Sequence, residues 1–371
     1  MRRRLLMVGR TRYDLPLSET LARKFDALEA ELDVRVLATA RQVTLADPRF
    51  RLYHPAPLGR LEGVAFYTLL PFRVARELRS FGPDAVLVQG GQEAALVLLG
   101  RALARSHAKV VLDVHGDWRA PTRLYGSPAR RLLAPLGDLL ARAAVRRADG
   151  VRTISAYTSG LVRAEGVAPT AEFPAFMDLE PFTSSAPAPL PEQPTALFVG
   201  VLERYKAVDV LAQAWRRVAA RAPGARLRIV GRGTMGSVVE ALVAEFPESV
   251  SWTPSVATHE VAAALDSATV LVLPSRSEGL GRVVVEAFCR GRAVVGSRVG
   301  GIPDLVTDGE TGLLVTPADP AALADALVAV LEDRALATRL GGAARVAIGP
   351  WLATPEDYAR CIHDLLEDVC R

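Results

Sequence analysis

Two carboxylates, Glu278 and Glu286, flank the turn Glu278-Gly279-Leu280-Gly281, which follows the apolar run Ala268 to Pro274. That run is short, rich in β-branched residues and closed by a proline, so it predicts a strand buried on both faces of a parallel sheet. Two glycines at a strand-to-helix turn let the backbone come close to a ligand, and the free N–H groups of a helix beginning there attract an anion. A phosphate fits such a turn. With the helix starting near Leu280, Glu286 falls about two turns along it at 3.6 residues per turn, and Glu278 stays in the loop before it. One carboxylate then lies beside the phosphate and the other further along the same ligand. The same pair also suits a plainer arrangement, an acid favoured by the helix dipole and a second acid on a solvated face.

His115 is the next candidate. It stands in Asp113-Val114-His115-Gly116-Asp117, where an apolar run, Val110 to Val114, comes to its end. A histidine at the carboxyl end of a strand, beside a glycine, is placed to meet a ligand, although a lone histidine also serves structural roles. Gly231-Arg232-Gly233-Thr234-Met235-Gly236 fits the G-x-G-x-x-G pattern of a dinucleotide site. That pattern requires an acidic residue about 20 positions on to hold a ribose. Ser251-Trp252-Thr253-Pro254-Ser255 offers none, so a dinucleotide-dependent oxidoreductase rests on the glycine turn alone. No Asp-x-Asp pair is present to hold a divalent cation, and the expected metal set is empty.

Strands must place these groups. Short apolar runs alternate with amphipathic stretches at Arg4 to Val8, Val34 to Ala38, Ala85 to Val88, Val110 to Val114 and Gly150 to Ile154. The rhythm resumes at Ala196 to Val199, Leu227 to Val230, Val250 to Trp252, Val270 to Leu273, Ala293 to Val295 and Leu313 to Val315. Alternating strands and helices predict doubly wound parallel sheets, with ligands beyond the carboxyl ends of the strands. The first strand leads into Gly9-Arg10-Thr11-Arg12-Tyr13, read as a donor-rich loop running toward an N-cap at Ser18. Leu61 to Leu78, interrupted by Pro71 and marked by Arg73, Arg76 and Arg79, suits either a packed helix or a basic segment on a membrane surface. Ser127-Pro128 reads as a helix start, with Arg130 and Arg131 beginning a cationic face.

At 371 residues the chain holds two domains of ordinary size. We place them at 1–178 and 195–350, joined by a Pro-rich linker at 179–194 and followed by a terminal helix within 351–371. Residues 1–178 hold 27 Lys and Arg against 18 Asp and Glu; the remainder holds 18 against 23, for an overall +4. The basic half suggests an anionic membrane surface or anionic acceptor, and a merely arginine-rich surface would look the same. Nucleic acid is not an expected partner. Cys289, Cys361 and Cys370 make no disulfide framework and lack metal-ligand spacing, which fits a reducing cytoplasm. The apolar run after Arg2, Arg3 and Arg4 stops at Gly9, short of a signal peptide. No stretch reaches the roughly 18 apolar residues of a membrane span, so any membrane contact is expected to be peripheral.

The strand, the E-G-L-G turn, Glu286 and the following A-V-V-G-S-R-V-G-G-I-P-D-L-V-T-D-G-E-T-G-L-L-V resemble the donor site of the retaining family-4 glycosyltransferases. The resemblance implies the GT-B fold, two Rossmann-like domains facing each other across a cleft. It covers residues 195–316 closely. In Gly200-Val201-Leu202-Glu203-Arg204-Tyr205-Lys206, Lys206 matches the family's lysine, whereas Val201 stands where the family has arginine, and Arg204 is the candidate substitute. Asp304 occupies a position where glutamate is commoner, and Ala175-Phe176 one where Asn-Gly is usual. The resemblance implies a nucleoside-diphosphate-sugar donor, UDP- or GDP-linked, and no bound cofactor. It implies that Lys206 and Arg204 steady the leaving phosphate with the turn at Gly279, Leu280 and Gly281, and that Glu286 takes ribose hydroxyls. Glu278 would take sugar hydroxyls and His115 would hold the sugar. Gly200, Gly231, Gly233 and Val256 fall on the donor side, and Gly9, Arg10 and Asp117 on the acceptor side. A nucleotide-sugar epimerase of the same fold shares this donor chemistry.

Overall fold

Runs such as Val-Val-Leu at 110–112 and Val-Leu-Val-Leu at 270–273 are wholly buried, as strands covered on both faces must be. The computed structural model describes residues 2–54, 62–119 and 128–371, and their side chains apart from those of 128–133. The chain forms two units, Met1–Phe176 with Ala353–Arg371, and Met177–Leu352.

The first unit contains β1 (Arg4–Leu15), α1 (Glu19–Glu31), β2 (Asp33–Val43), β3 (Phe50–Tyr53), α2 (Glu62–Phe81) and β4 (Ala85–Gln89). There follow α3 (Gly91–Ala104), β5 (Lys109–Val114), α4 (Pro128–Arg147), β6 (Gly150–Thr153), α5 (Ala156–Arg163) and β7 (Ala171–Glu172). Its sheet runs β3-β2-β1-β4-β5-β6-β7, with every pair parallel. Helices α2, α3 and α4 cover one face through residues such as Leu70, Val97 and Ala141. On the other face α1 packs with the chain's last helix, Pro355–Cys370, through Phe25, Leu28, Ile362 and Leu366. That last helix begins at Pro355, with Thr354 as its cap.

Two local expectations change. Gly9 to Tyr13 is not a loop, because β1 continues to Leu15 after a register shift between Val8 and Arg12. The extended β2 supplies the backbone partner, and the Tyr13 ring wedges against Phe25 and Phe50 at 6.0 and 5.1 Å. Ser18 does occupy the N-cap of α1, but its side chain makes no capping bond. Helix α2 runs straight through Pro71, which is buried with Leu70 and Val74 against the sheet. Arg73 stacks on Tyr53 at 3.9 Å, while Arg76 is exposed. Leu61 and Ser127 lie outside the described residues, as do the side chains of Arg130 and Arg131.

The second unit contains β8 (Thr195–Val199), β9 (Arg226–Val230), β10 (Val250–Thr253), β11 (Val270–Leu273), β12 (Ala293–Ser297) and β13 (Gly312–Val315). Its parallel sheet runs β10-β9-β8-β11-β12-β13. The Pro-rich stretch ahead of β8 is fixed to this unit by two buried arginines. Arg290 donates to the carbonyls of Ser185 and Ala186 at 2.8 and 3.0 Å while pairing with Asp266, and Arg292 donates to that of Ala188 at 2.7 Å.

Candidate functional site

In the second unit β8 and β11 are neighbours, and the chain order reverses between them. A crevice at that switch point is where an open parallel sheet receives its ligand. After β8 the chain makes a 3-10 turn, Arg204–Lys206; after β11 it passes through Ser275 to Glu278. Arg276 joins the two segments. Its backbone N–H donates to Tyr205 O at 2.6 Å, its guanidinium donates to Arg204 O at 2.8 Å, and both terminal nitrogens hold the Asp209 carboxylate at 2.8 and 2.7 Å. Lys206 Nζ thereby lies 2.5 Å from Glu278 Oε2. Ser275 Oγ donates to the same carboxylate oxygen at 3.4 Å.

The helix begins at Arg282, two residues later than expected, with Gly281 as its N-cap. Glu286 is 9% exposed, so it is not a solvated face residue. Burial pushes its carboxyl pKa up, against the pull of Arg282 and Lys206. Lys206, Glu278 and Glu286 are thus one charge cluster. Leu280 is buried, which leaves its backbone rather than its side chain to meet a ligand. Arg204 is exposed, and so is Val201.

The glycines have a structural task. A Cβ on Gly231, at φ 142°, would come within 1.8 Å of Gly200 O, and one on Gly233 within 2.5 Å of Leu202 O. A Cβ on Gly300 would come within 1.9 Å of Glu278 O. The turns that follow β8, β9, β11 and β12 are therefore stacked backbone on backbone. The G-x-G-x-x-G spacing needs no dinucleotide to explain it. Val256 is in the loop after the edge strand β10, where Thr253 O accepts from Gly231 N–H at 3.0 Å.

The first unit has a cavity of about 590 Å³ at its own switch point, between the ends of β1 and β4 and beside β5. Arg10, His115 and Asp117 line it together with Tyr67, Gln89 and Glu93. Gly9 does not; it is buried within β1, where a Cβ would sit 3.4 Å from Gln89 Oε1. Asp117 is held by Arg119, with Nε at 2.8 Å. Tyr67 donates its hydroxyl to Glu93 at 2.8 Å. Burial raises the Glu93 pKa, opposed by Tyr67 and Arg10.

Sequence reasoning missed five residues here. Asp113 and Arg276 adjoin the flagged His115 and Glu278, and that adjacency was their signal. Tyr67, Gln89 and Glu93 have no motif, because only the folding of α2, β4 and α3 brings them to one cavity.

A "Glycosyl transferases group 1" model matches residues 193–333, and a "Glycosyl transferase 4-like domain" model matches residues 18–172. A GDP-mannose-dependent alpha-(1-6)-phosphatidylinositol monomannoside mannosyltransferase of Mycobacterium tuberculosis is 31% identical over 282 residues, covering 71% of each chain. The chain belongs to the group 1 glycosyltransferases. Among other relatives of this glycosyltransferase, the D-inositol 3-phosphate glycosyltransferase of Frankia alni is 34% identical over 254 residues, 65% of this chain. The matches to that protein and to its counterparts in Nocardioides and Nocardia farcinica span 61, 47 and 39% of their own lengths. The structure of sucrose-phosphate synthase from Thermosynechococcus elongatus shares the fold, with a TM-score of 0.77 at 21% identity over 99% of this chain and 98% of that one.

Proposed function

We propose that this chain transfers a sugar from a nucleoside diphosphate to an acceptor hydroxyl, with retention at the anomeric carbon. The pairing of Lys206 with Glu278 beside buried Glu286, at the switch point of the second unit, is the observation behind this reading. Breaking the bond between anomeric carbon and phosphate builds positive character on the sugar and negative charge on the diphosphate. Lys206, with Arg204 nearby on the same turn, meets that charge where it develops. Freed from Lys206 by the incoming phosphate, Glu278 accepts hydrogen bonds from sugar hydroxyls, and Glu286 accepts from the ribose. The leaving phosphate oxygen takes the acceptor's proton, and no divalent cation is required. The cavity of the first unit receives the acceptor beside Arg10 and Asp117, and His115 in its lining holds the transferred sugar. The mycobacterial relative's name, with its GDP-mannose donor, supports an activated nucleotide sugar here.

Incubating the protein with UDP- and GDP-sugars and a panel of hydroxylic acceptors tests this. Acceptor-dependent release of nucleoside diphosphate and a product of the donor's anomeric configuration are expected, with EDTA changing neither. An epimerised donor formed without acceptor, or an inverted product, would overturn it.

We further propose peripheral contact with an anionic bilayer at the cytoplasmic face, through α2, α3 and α4. These neighbouring helices expose Leu69 and Phe72, Leu99 and Leu103, and Leu136 and Leu139, on the half of the chain with the positive balance. Apolar side chains beside cationic ones suit an interface between acyl chains and acidic headgroups. Among the described residues no helix is long and apolar enough to cross a membrane. Sedimentation with phosphatidylglycerol vesicles is expected to need both Phe72 and Leu139; equal sedimentation of the Phe72→Ser, Leu139→Ser double variant would exclude this face.

A further inference from the structure

Asp113 is the penultimate residue of β5 and is 1% exposed, yet it faces three cationic or ionisable side chains. Its Oδ1 accepts from Arg152 Nη1 at 2.7 Å, and its Oδ2 lies 2.8 Å from His115 Nε2. Arg152 is itself fully buried, stacks on Phe173 at 4.1 Å and donates to Phe173 O and Pro174 O at 2.9 and 2.6 Å. Lys24, from α1, adds positive charge nearby. Burial pushes the Asp113 pKa up, but Arg152 and His115 outweigh it and bring it down to about 2.

An ionised carboxylate only accepts hydrogen bonds. With Oδ1 occupied by Arg152, the ring nitrogen facing Oδ2 must bear the proton. Gln89 Nε2 approaches the same ring nitrogen at 3.5 Å, but two N–H groups facing each other add no bond. In the neutral ring Nδ1 then keeps the lone pair.

We propose that Asp113 is a positioning residue that fixes His115 as the Nε2–H tautomer and leaves Nδ1 to accept a hydrogen bond from a sugar hydroxyl. The choice of hydroxyl ligand rests on the transferase reading, whereas the tautomer does not. A buried carboxylate behind an imidazole sets both the ring's orientation and the nitrogen it offers. Because Arg152 also grips Phe173 and Pro174 just after β7, the carboxylate is held at a fixed height near the end of β5.

Nitrogen-15 spectra of the intact chain with labelled histidine, recorded at alkaline pH, read the tautomer directly. The chain has five histidines, and His115→Asn identifies the signal that belongs to His115. The wild-type ring is expected to be Nε2–H. In Asp113→Asn the side-chain amide can donate to the ring, so the Nδ1–H form is expected to grow, with kcat falling about tenfold for the lost hydrogen bond and nucleotide affinity unchanged. A wild-type ring found as Nδ1–H overturns the proposal, as does a folded Asp113→Asn protein with an unaltered tautomer. Should that variant not fold, the wild-type spectrum decides alone. Lack of transfer with every donor would count against the transferase reading and leave the tautomer result intact.

Discussion

Lys206 Nζ and Glu278 Oε2 are 2.5 Å apart, with side chains 11% and 14% exposed, so the cation proposed to meet a leaving diphosphate is bonded to the carboxylate proposed to hold the sugar. In the proposed reaction, donor binding exchanges this internal bond for two bonds to ligand. Without a ligand, the internal pairing holds both side chains in place and leaves neither charge uncompensated.

Replacing Lys206 by Ala is expected to lower kcat by about 10²- to 10³-fold, the range found when a group that stabilises developing negative charge is removed. Steady-state turnover with the cognate donor checks this, and near-normal turnover would remove Lys206 from the reaction.

Replacing Glu286 by Ala is expected to raise the Kd for the nucleoside diphosphate about tenfold, which corresponds to about 1.4 kcal/mol and one lost hydrogen bond. Titration calorimetry measures the change directly. Unchanged affinity would leave Glu286 as a buried acid without a ligand.

Gly231→Ala should destabilise the chain by about 2–4 kcal/mol, since the new Cβ meets Gly200 O and the positive φ disfavours any side chain. Thermal unfolding reports it. A variant with the wild-type Tm but no nucleotide binding would instead give the glycine to the ligand.

Asp113 makes a signed contribution to acid stability. Its folded pKa, about 2, lies below the ordinary 3.8, so the ionised carboxylate stabilises the fold fully above about pH 4 and loses that contribution as the pH falls to about 2. The difference is worth about 2 kcal/mol. Urea unfolding across this window should show wild type losing more stability than Asp113→Asn; parallel losses would contradict the network.

The amino-acid sequence by itself determined the class of architecture, because strands covered on both faces have to be continuous apolar runs and such runs are visible without coordinates. It also put the chemistry at strand ends, since His115, Lys206 and Glu278 each follow one of those runs closely. It was misleading at Gly9 to Tyr13, where polar residues suggested a loop, because the pairing that makes them a strand comes from β2, more than twenty residues away. The glycine turn at 231–236 was ambiguous for a similar reason. Its pattern is common to phosphate contact and to close loop packing, and only the position of Gly200 O shows the packing. Lys206 and Glu278 are 72 residues apart, and their hydrogen bond exists because β11 inserts beside β8 and Arg276 ties the two following segments together. Partners so distant along the chain leave no local periodicity. The tertiary fold alone decided which charges meet, which glutamate is buried, and which nitrogen of His115 faces a carboxylate.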